Sequence, residues 1–365
     1  MSNLLHVGLD VGSTTVKIVV MDDKLNTIYR DYQRHFSDTK NTVCNVLEGL
    51  AAKYPDNEFT IALTGSGAMS AAKFLDLPFI QEVVSCKRAV EKYIPKTDVV
   101  IELGGEDAKI IYFDKSIEQR MNGSCAGGTG AFIDQMASLL NTDPTGLNEL
   151  AKNYQTIYPI ASRCGVFAKT DIQPLLNEGA AKEDIAVSIF QAVVNQTISG
   201  LACGRPIRGN VAFLGGPLNY LSELRKRFIE TLHLTDDEII VPEEAHLLVA
   251  KGAALDSIEE AKPITVEKLK SKIDVLRVSH DDTSNPLSPL FSIDADYEEF
   301  KERHAKDKVE RADLKTFEGD CYVGIDAGST TTKLTLIDSE GRLLYSLYGL
   351  SLIHISEPTR HLRIS

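Results

Sequence analysis

VGLDVGSTTVKIVVMD, residues 7–22, is the stretch that decides the fold of this chain. Two runs rich in β-branched residues flank a glycine turn, which predicts a β-hairpin whose first strand ends at Asp10. Backbone amides and hydroxyl groups of such a turn could hold phosphate oxygens, and Asp10 could hold hydrated Mg²⁺ beside them. In most proteins a D-x-G-S-T segment is only a hairpin turn. The candidate phosphate-binding residues are Gly12, Ser13, Thr14, Thr15 and Lys17.

The same stretch returns 316 residues later as VGIDAGSTTTKLTLID, residues 323–338. A repeat of this kind indicates that a second copy of the domain begins there. The composition changes soon after residue 348, so the second copy can form a hairpin but not a domain. The sequence thus predicts a complete domain at 1–258, a charged helical or flexible connector at 259–320, a truncated second copy at 321–349 and a non-native tail at 350–365. A short native tail is the alternative for the last segment.

Two further glycine turns follow hydrophobic strands in the complete domain. IELGGEDAK, residues 101–109, ends an acidic strand, and VAFLGGPLN, residues 211–219, leaves bare backbone beside which a flat ring could lie. A structural turn is the alternative for each segment, but the three turns in this order favour a site that clamps a nucleotide and its metal ion. The candidate residues are Glu102, Gly104, Gly105, Glu106, Asp107, Gly215, Gly216 and Pro217.

The order of the predicted elements indicates a mixed α/β fold. Strands at 4–10, 16–21 and 27–34 precede a helix near 39–53 and a strand at 59–63. The pattern restarts with strands at 98–103, 108–113 and 116–120, and it continues with helices at 168–176 and 182–202, a strand at 211–214 and a helix at 219–232. We therefore expect two α/β lobes around a cleft, with mixed sheets flanked by helices.

Two of the six cysteines lie in glycine-rich segments directly before predicted helices. Cys125 belongs to MNGSCAGGTGAFID, residues 121–134, and Cys164 belongs to IASRCGVFAKTD, residues 160–171. The N-terminus of a helix favours a thiolate and offers free amide groups. A lone cysteine is more often a buried thiol, so both interpretations stay open from the residues alone. Cys44, Cys86 and Cys203 are interpreted as packing residues, and Cys321 has no assigned role.

The composition argues against some classes of function. With a formal net charge of −13, the chain offers no overall attraction to nucleic acid or to an anionic membrane. The N-terminus lacks the features of an export signal, and no stretch is expected to approach the roughly 20 apolar residues that cross a bilayer. We expect a cytoplasmic protein whose cysteines are free thiols or metal ligands.

The three glycine motifs resemble those of the actin, sugar-kinase and Hsp70 superfamily. Within it, residues 4–257 resemble the BadF/BadG/BcrA/BcrD type, which comprises activators of 2-hydroxyacyl-CoA dehydratases and related ATPase subunits of benzoyl-CoA reductases. The resemblance implies a two-lobed actin-like ATPase fold that binds ATP and Mg²⁺, with phosphate segments at 10–17 and 102–107 and an adenosine segment at 215–217. It also implies catalytic roles for Asp10, Glu106 and Asp107, and it leaves open which of the last two positions water.

The same resemblance makes Cys125 and Cys164 candidate ligands of a 4Fe-4S cluster. Four thiolates normally hold such a cluster, and the family's arrangement implies that a homodimer shares it, with two cysteines from each protomer. It further implies ATP-driven transfer of a low-potential electron, supplied by a donor such as ferredoxin or flavodoxin, to a partner redox enzyme.

The match to the family pattern is incomplete. Glu102 stands where many members have Asp, Glu106 stands where short activators have Gln, and the characteristic histidine near Glu82 is missing. These departures favour a long, two-copy member of the family and leave the electron acceptor open. A small-molecule kinase of the same fold and a nucleotide-responsive scaffold are the alternative functions.

Overall fold

The computed structural model describes residues 3–113, 117–122, 127–161, 164–279, 287–328 and 331–350. These residues divide into two compact units. Unit 1 contains the described residues within 1–172 and 180–281, and unit 2 contains those within 173–179 and 282–365. The first copy of the repeated stretch therefore lies in unit 1, and the second copy lies in unit 2.

The first sheet of unit 1 is built around residues 7–22. Its strands are β1 (Leu4–Val11), β2 (Thr15–Met21), β3 (Thr27–Arg34) and β4 (Glu58–Thr64). β1 pairs antiparallel with β2 and parallel with β4, and β2 pairs antiparallel with β3, which confirms the predicted meander. We call this part lobe 1. The helices that follow in the chain are α1 (Thr39–Lys53), α2 (Ala68–Leu75) and α3 (Glu82–Tyr93).

The second sheet of unit 1 repeats this topology and defines lobe 2. β5 (Val99–Leu103), β6 (Ala108–Tyr112) and β7 (Glu118–Met121) form an antiparallel meander. The chain continues through α4 (Gly130–Leu139), α5 (Pro144–Ala151), α6 (Gly165–Asn177), α7 (Lys182–Thr197), β8 (Val211–Leu214), α8 (Gly216–Tyr220), α9 (Ser222–Leu232) and β9 (Ile239–Ile240). The end of α6, from Gln173 onward, belongs to unit 2. β8 pairs parallel with β5, and β9 pairs parallel with β8. The predicted restart of the α/β pattern is thus confirmed.

One helical stretch corrects an expectation drawn from the sequence. α7 and the π-helical turn Ile198–Ala202 that continues it are, within the described residues, long and apolar enough to cross a membrane. However, 67% of the most apolar window of this stretch is buried inside the protein. α7 packs against α5 and α9, and Phe190 and Val193 on it are fully buried. It therefore has the environment of a core helix of lobe 2.

The chain returns to lobe 1 through α10 (Leu248–Glu260), which packs on β1. A Cβ atom on Gly8 would lie 2.0 Å from the Ala250 carbonyl oxygen, so glycine is needed for this close approach. β10 (Ile264–Thr265) and α11 (Val266–Val278) follow, within the stretch predicted as a connector. β10 pairs with β4, and apolar residues of both elements join the core formed by α1, α2 and β4. The compact unit therefore extends beyond the predicted boundary at residue 258.

Shortening a core side chain of α11 tests this extension. Leu269→Ala is expected to lower the free energy of unfolding of unit 1 by about 2 to 3 kcal/mol, because Leu269 is fully buried and its loss leaves a cavity. Val275→Ala on the same helix is the control, since Val275 is half exposed. Urea unfolding of the full chain measures both values. Equal, negligible effects of the two substitutions on the free energy of unfolding would indicate that α11 is a solvated connector.

Unit 2 contains α12 (Asp294–Ala305) and a meander of β11 (Cys321–Ala327), β12 (Thr331–Asp338) and β13 (Leu343–Leu350). Asp326 faces Lys333 in this meander as Asp10 faces Lys17 in the first copy, and Lys333 Nζ lies 2.8 Å from Asp326 Oδ2. The two copies differ in burial, because all of β11 is exposed while β1 is largely buried. The register of the hairpin therefore forms with or without a surrounding core.

Candidate functional site

The first candidate turn lies between β1 and β2, where Asp10 and Lys17 face each other. Lys17 Nζ donates a hydrogen bond to Asp10 Oδ2 at 2.7 Å, and the Asp10 side chain is only 2% exposed. Burial lowers the pKa of Lys17, but the carboxylates of Asp10, Glu102 and Glu82 together outweigh burial, so the pKa is raised. The Gly12 amide donates to the Thr15 carbonyl oxygen at 2.9 Å and closes the turn. A buried ion pair thus supports a short backbone turn.

A glycine loop after β4 lies against Asp10. Gly65 has a φ of +100°, and a Cβ atom there would lie 2.6 Å from Asp10 Oδ1. The Gly67 amide also donates to the Val11 carbonyl oxygen at 2.8 Å. The two glycines of TGSG, residues 64–67, are the sequence signal that could have predicted this close backbone approach.

The second candidate turn, between β5 and β6, repeats the pairing of an acid with a lysine. Glu102 faces Lys109 across the hairpin, and the Gly104 amide donates to the Asp107 carbonyl oxygen at 2.7 Å. Lys109 Nζ donates to Glu82 Oε1 at 2.7 Å and lies 3.8 Å from Asp107 Oδ2. Among the described residues, the buried Glu102 Oε2 has no hydrogen-bond partner. An unpartnered carboxylate oxygen suits a hydrated cation, and Mg²⁺ is usually held by one or two carboxylates together with substrate phosphates.

The tips of the two turns approach each other across a cleft between the lobes. A Cβ atom on Gly105 would lie 2.1 Å from Thr14 Oγ1. α4 begins on the second turn, because the Gly130 and Ala131 amides donate to the carbonyl oxygens of Gly104 and Gly105 at 3.0 and 2.7 Å. The lining of the cleft includes Thr14, Thr15, Lys17, Gly104, Gly105, Gly216 and Pro217. The structure therefore brings residues of all three candidate segments together.

The third candidate segment forms part of a larger cavity of about 350 Å³. Gly215 has a φ of +87°, and a Cβ atom there would lie 2.0 Å from the Leu103 carbonyl oxygen, so this position requires glycine. The lining includes Ile133, Pro144, Gly216, Pro217, Tyr220 and Leu221. This cavity adjoins the cleft between the turns, since Gly216 and Pro217 line both. Its mainly apolar lining suits a flat ring next to a phosphate site.

Sequence reasoning missed three residues that line the cleft, which are Tyr32, Arg34 and Asp134. Tyr32 faces Lys17 across β2 and β3, and Arg34, two residues further along β3, lies on the same face. Arg34 Nη2 lies 3.0 Å from Asp134 Oδ2, so an ion pair joins β3 of lobe 1 to α4 of lobe 2. The alternation on β3 was visible in the sequence, but its face toward the cleft follows only from the strand pairing.

Comparison with known proteins gives this arrangement its context. Residues 7–257 match the family model for the BadF/BadG/BcrA/BcrD ATPase family. The chain belongs to this family. The activator of 2-hydroxyisocaproyl-CoA dehydratase from Clostridioides difficile is 31% identical over 262 residues, which are 70% of this chain and 96% of the relative.

Two solved structures show the same fold as this BadF/BadG/BcrA/BcrD family member. The activator of 2-hydroxyisocaproyl-CoA dehydratase from Clostridium difficile with bound ADPNP has a TM-score of 0.60 at 26% identity, covering 77% of this chain and 100% of its own. Component A of the Acidaminococcus fermentans (R)-2-hydroxyglutaryl-CoA dehydratase has a TM-score of 0.62 at 27% identity, covering 71% of this chain and 100% of its own. The predicted actin-like ATPase fold is confirmed.

The two acidic candidates for positioning water differ in their surroundings in this family member. Glu106 is exposed at the tip of the second turn, and its carbonyl oxygen accepts a hydrogen bond from Asn122 Nδ2 at 3.0 Å. Asp107 is half-buried beside Lys109. The catalytic role of either residue stays a prediction.

The cysteine segments are described only in part. Cys164 is half-buried and directly precedes α6, and its carbonyl oxygen accepts the hydrogen bond of the Ala168 amide at 2.9 Å. The next apolar residues, Val166 and Phe167, are 71% and 65% exposed. Cys125 lies outside the described residues, so its role with Cys164 as a cluster ligand stays a prediction. Within the described ranges, no group of three or more His, Cys, Asp or Glu side chains is arranged to hold a metal ion.

The other cysteines separate into buried and exposed residues. Cys44 and Cys86 are fully buried in the core, and burial raises the pKa of both thiols, which confirms them as packing residues. Cys203 was wrongly interpreted as a packing residue. It is exposed, because the π-helical turn ends there and Cys203 takes a φ of +46°. Cys321 is also exposed.

The Glu82 carboxyl group predicts that the stability of the family member depends on pH. Burial and the nearby Glu102 carboxylate raise the pKa of Glu82 to about 7, from an ordinary value of 4.5. Between these two pH values the folded state binds the proton more tightly than the unfolded state, so the free energy of unfolding should fall as the pH rises. Glu82→Gln should weaken this fall, because its amide does not titrate but can still accept a hydrogen bond from Lys109. Urea unfolding at several values from pH 4.5 to 8 measures the effect, and identical slopes in both proteins would contradict it.

Proposed function

We propose that this protein is an ATPase that activates a partner redox enzyme, by coupling ATP hydrolysis to transfer of a low-potential electron from a 4Fe-4S cluster. The observation that carries the proposal is the meeting of two acid-and-lysine hairpins beside a cavity for a flat ring, in a chain of the BadF/BadG/BcrA/BcrD ATPase family. The named relatives are an activator of one 2-hydroxyacyl-CoA dehydratase and component A of another, which supports a partner enzyme of that class.

In the proposed nucleotide site, each segment has a distinct part. The turn at Gly12–Thr15 would bind phosphate oxygens through backbone amides and the threonine hydroxyl groups, with Lys17 adding positive charge. Asp10 and Glu102 would hold hydrated Mg²⁺, and the adenine ring would lie against Gly216 and Pro217. Asp107 or Glu106 would position the attacking water, in a reaction that depends mainly on alignment and electrostatics.

The cysteines would hold the cluster between two copies of the chain. Cys164 lies at a helix start and is accessible in part, and a neighbouring apolar surface at Val166 and Phe167 would be covered in a homodimer. When bound, the cluster supplies the electron, and the chain's part is to bind it through the Cys125 and Cys164 thiolates. A cytoplasmic ferredoxin or flavodoxin is the proposed type of donor.

Analysis of anaerobically purified protein tests the proposal. We expect about four iron atoms and four acid-labile sulfides per two chains, a dimer in solution and ATP hydrolysis without an added phosphate acceptor. Protein without iron that transfers phosphate to a small molecule would support the kinase alternative. Protein without iron and without turnover would support a nucleotide-responsive scaffold.

A further inference from the structure

We propose that His35 is a positioning residue for the nucleotide site, because it holds the phosphate-binding turn in the orientation that exposes its amides. The inference rests on the proposed nucleotide function and assigns a role to a residue that lies outside the three glycine segments. His35 directly follows β3 and is 6% exposed. It contacts the turn at Gly12–Thr15 through both its ring and its backbone.

The hydrogen bonds of the ring determine where its proton lies. The Ser37 amide donates to His35 Nδ1 at 3.1 Å, so Nδ1 must be an acceptor. His35 Nε2 lies 3.2 Å from the Gly12 carbonyl oxygen, which can only accept. The neutral ring with its proton on Nε2 therefore joins Gly12 to Ser37.

Together the ring and backbone of His35 hold two carbonyl groups of the turn. The ring donates to Gly12, and the His35 amide donates to the Thr14 carbonyl oxygen at 3.1 Å. Carbonyl oxygens facing a phosphate would repel it, whereas amides attract it. Among the described residues, the Ser13 and Thr14 amides have no backbone acceptor. With both carbonyls held by His35, these amides remain available to a ligand.

The loop after His35 adopts an unfavourable backbone conformation in which the Ser37 amide reaches the His35 ring. Phe36 and Ser37 have φ values of +46° and +68°, a region that residues other than glycine rarely occupy. The Phe36 side chain is 83% exposed, so its burial does not hold the loop in place. Two hydrogen bonds hold the loop instead. The Ser37 amide donates to the His35 ring, and the Asp38 amide donates to the His35 carbonyl oxygen at 2.7 Å. These hydrogen bonds keep the strained backbone at Phe36 and Ser37 in place, next to the residue that connects this loop to the candidate site.

Two substitutions separate a role at the turn from a role in the loop. In His35→Gln, the amide nitrogen stands near the position of Nε2 and can still donate to Gly12. In His35→Asn, the amide oxygen stands near the position of Nδ1 and can still accept from Ser37, but nothing reaches Gly12. A merely structural role in the loop predicts that the asparagine variant behaves better than the glutamine variant. The positioning role predicts the reverse order.

The experiment measures binding of ADPNP with Mg²⁺ to the full chain, together with amide hydrogen exchange of the nucleotide-free protein. We expect His35→Asn to weaken binding about tenfold and His35→Gln to remain within about threefold of wild type. The Gly12 amide should exchange faster in His35→Asn than in His35→Gln. Normal binding and exchange in His35→Asn, or effects in His35→Gln that equal or exceed those in His35→Asn, would overturn the proposal. If wild type binds no nucleotide, the proposed function fails first, and the exchange order alone then decides whether His35 fixes the turn.

Discussion

Asp10→Ala is expected to lower the free energy of unfolding of unit 1 by about 3 to 5 kcal/mol. The substitution leaves the Lys17 ammonium group buried without the carboxylate that lies 2.7 Å from it. As a Mg²⁺ ligand that faces the cleft, Asp10 would be needed for ATP hydrolysis but hardly for the fold. Its 2% exposure changes that expectation. Urea unfolding of the full chain measures the loss.

Asp10→Asn separates the functional effect from the structural one. The amide oxygen keeps a hydrogen-bond acceptor for Lys17, while the charge that would hold hydrated Mg²⁺ is lost, so we expect ATP hydrolysis to fall on the order of 100-fold. Asp326→Ala is the matched control for stability, since its partner Lys333 is exposed in the second copy and should leave the transition of unit 1 unchanged. An Asp10→Ala variant as stable as wild type would contradict the role of the buried pair. Unchanged hydrolysis in Asp10→Asn would remove Asp10 from the site.

Serine at either Cys125 or Cys164 is expected to abolish iron binding, because a hydroxyl group is a poor replacement for a thiolate on iron. Nucleotide binding should persist, since neither cysteine belongs to the two candidate phosphate segments or to the adenosine segment. Iron, acid-labile sulfide and the visible absorption of anaerobic protein measure the first effect, and ADPNP binding measures the second.

Cys203→Ser provides the control for the cluster prediction. Cys203 is an exposed cysteine of lobe 2 that has no proposed ligand role, so its replacement should leave the iron content unchanged. Full iron content in Cys164→Ser would contradict the assignment, as would equal losses in all three variants. Electron transfer to the partner enzyme should follow the iron content of each variant.

The sequence was sufficient to predict features set by neighbouring residues. The strands around Asp10 and the turn at Gly12–Thr15 follow from local β propensity and glycine placement, and unit 2 forms the same register without a core around it. Tyr32 and Arg34 could not be assigned to the cleft in this way, because strand pairing and the approach of lobe 2 decide which face of β3 is used.

The burial of Asp10 and the position of α11 also depend on distant parts of the chain. Asp10 is covered by the loop at Gly65, and α11 packs on α1 and α2, more than 190 residues earlier in the sequence. Dense charge on the outer face of α11 concealed an apolar spacing at Val266, Leu269, Ile273 and Leu276, which is that of an amphipathic helix. Local patterns therefore predicted the glycine turns better than they predicted the residues that surround them.

The insertion of lobe 2 into lobe 1 has a consequence for synthesis on the ribosome. The strands of lobe 2, β5 to β9, lie in one uninterrupted stretch of chain. In contrast, the core of lobe 1 joins β1 to β4 with β10 and α11, which are made after lobe 2. Apolar residues at the start of α10 also join the core around the strands of lobe 2. During translation the emergence of α10 therefore completes lobe 2, whereas lobe 1 still lacks β10 and α11 and its apolar faces stay uncovered longer. During that interval we expect chaperones that bind exposed apolar surface to bind the nascent lobe 1 rather than lobe 2.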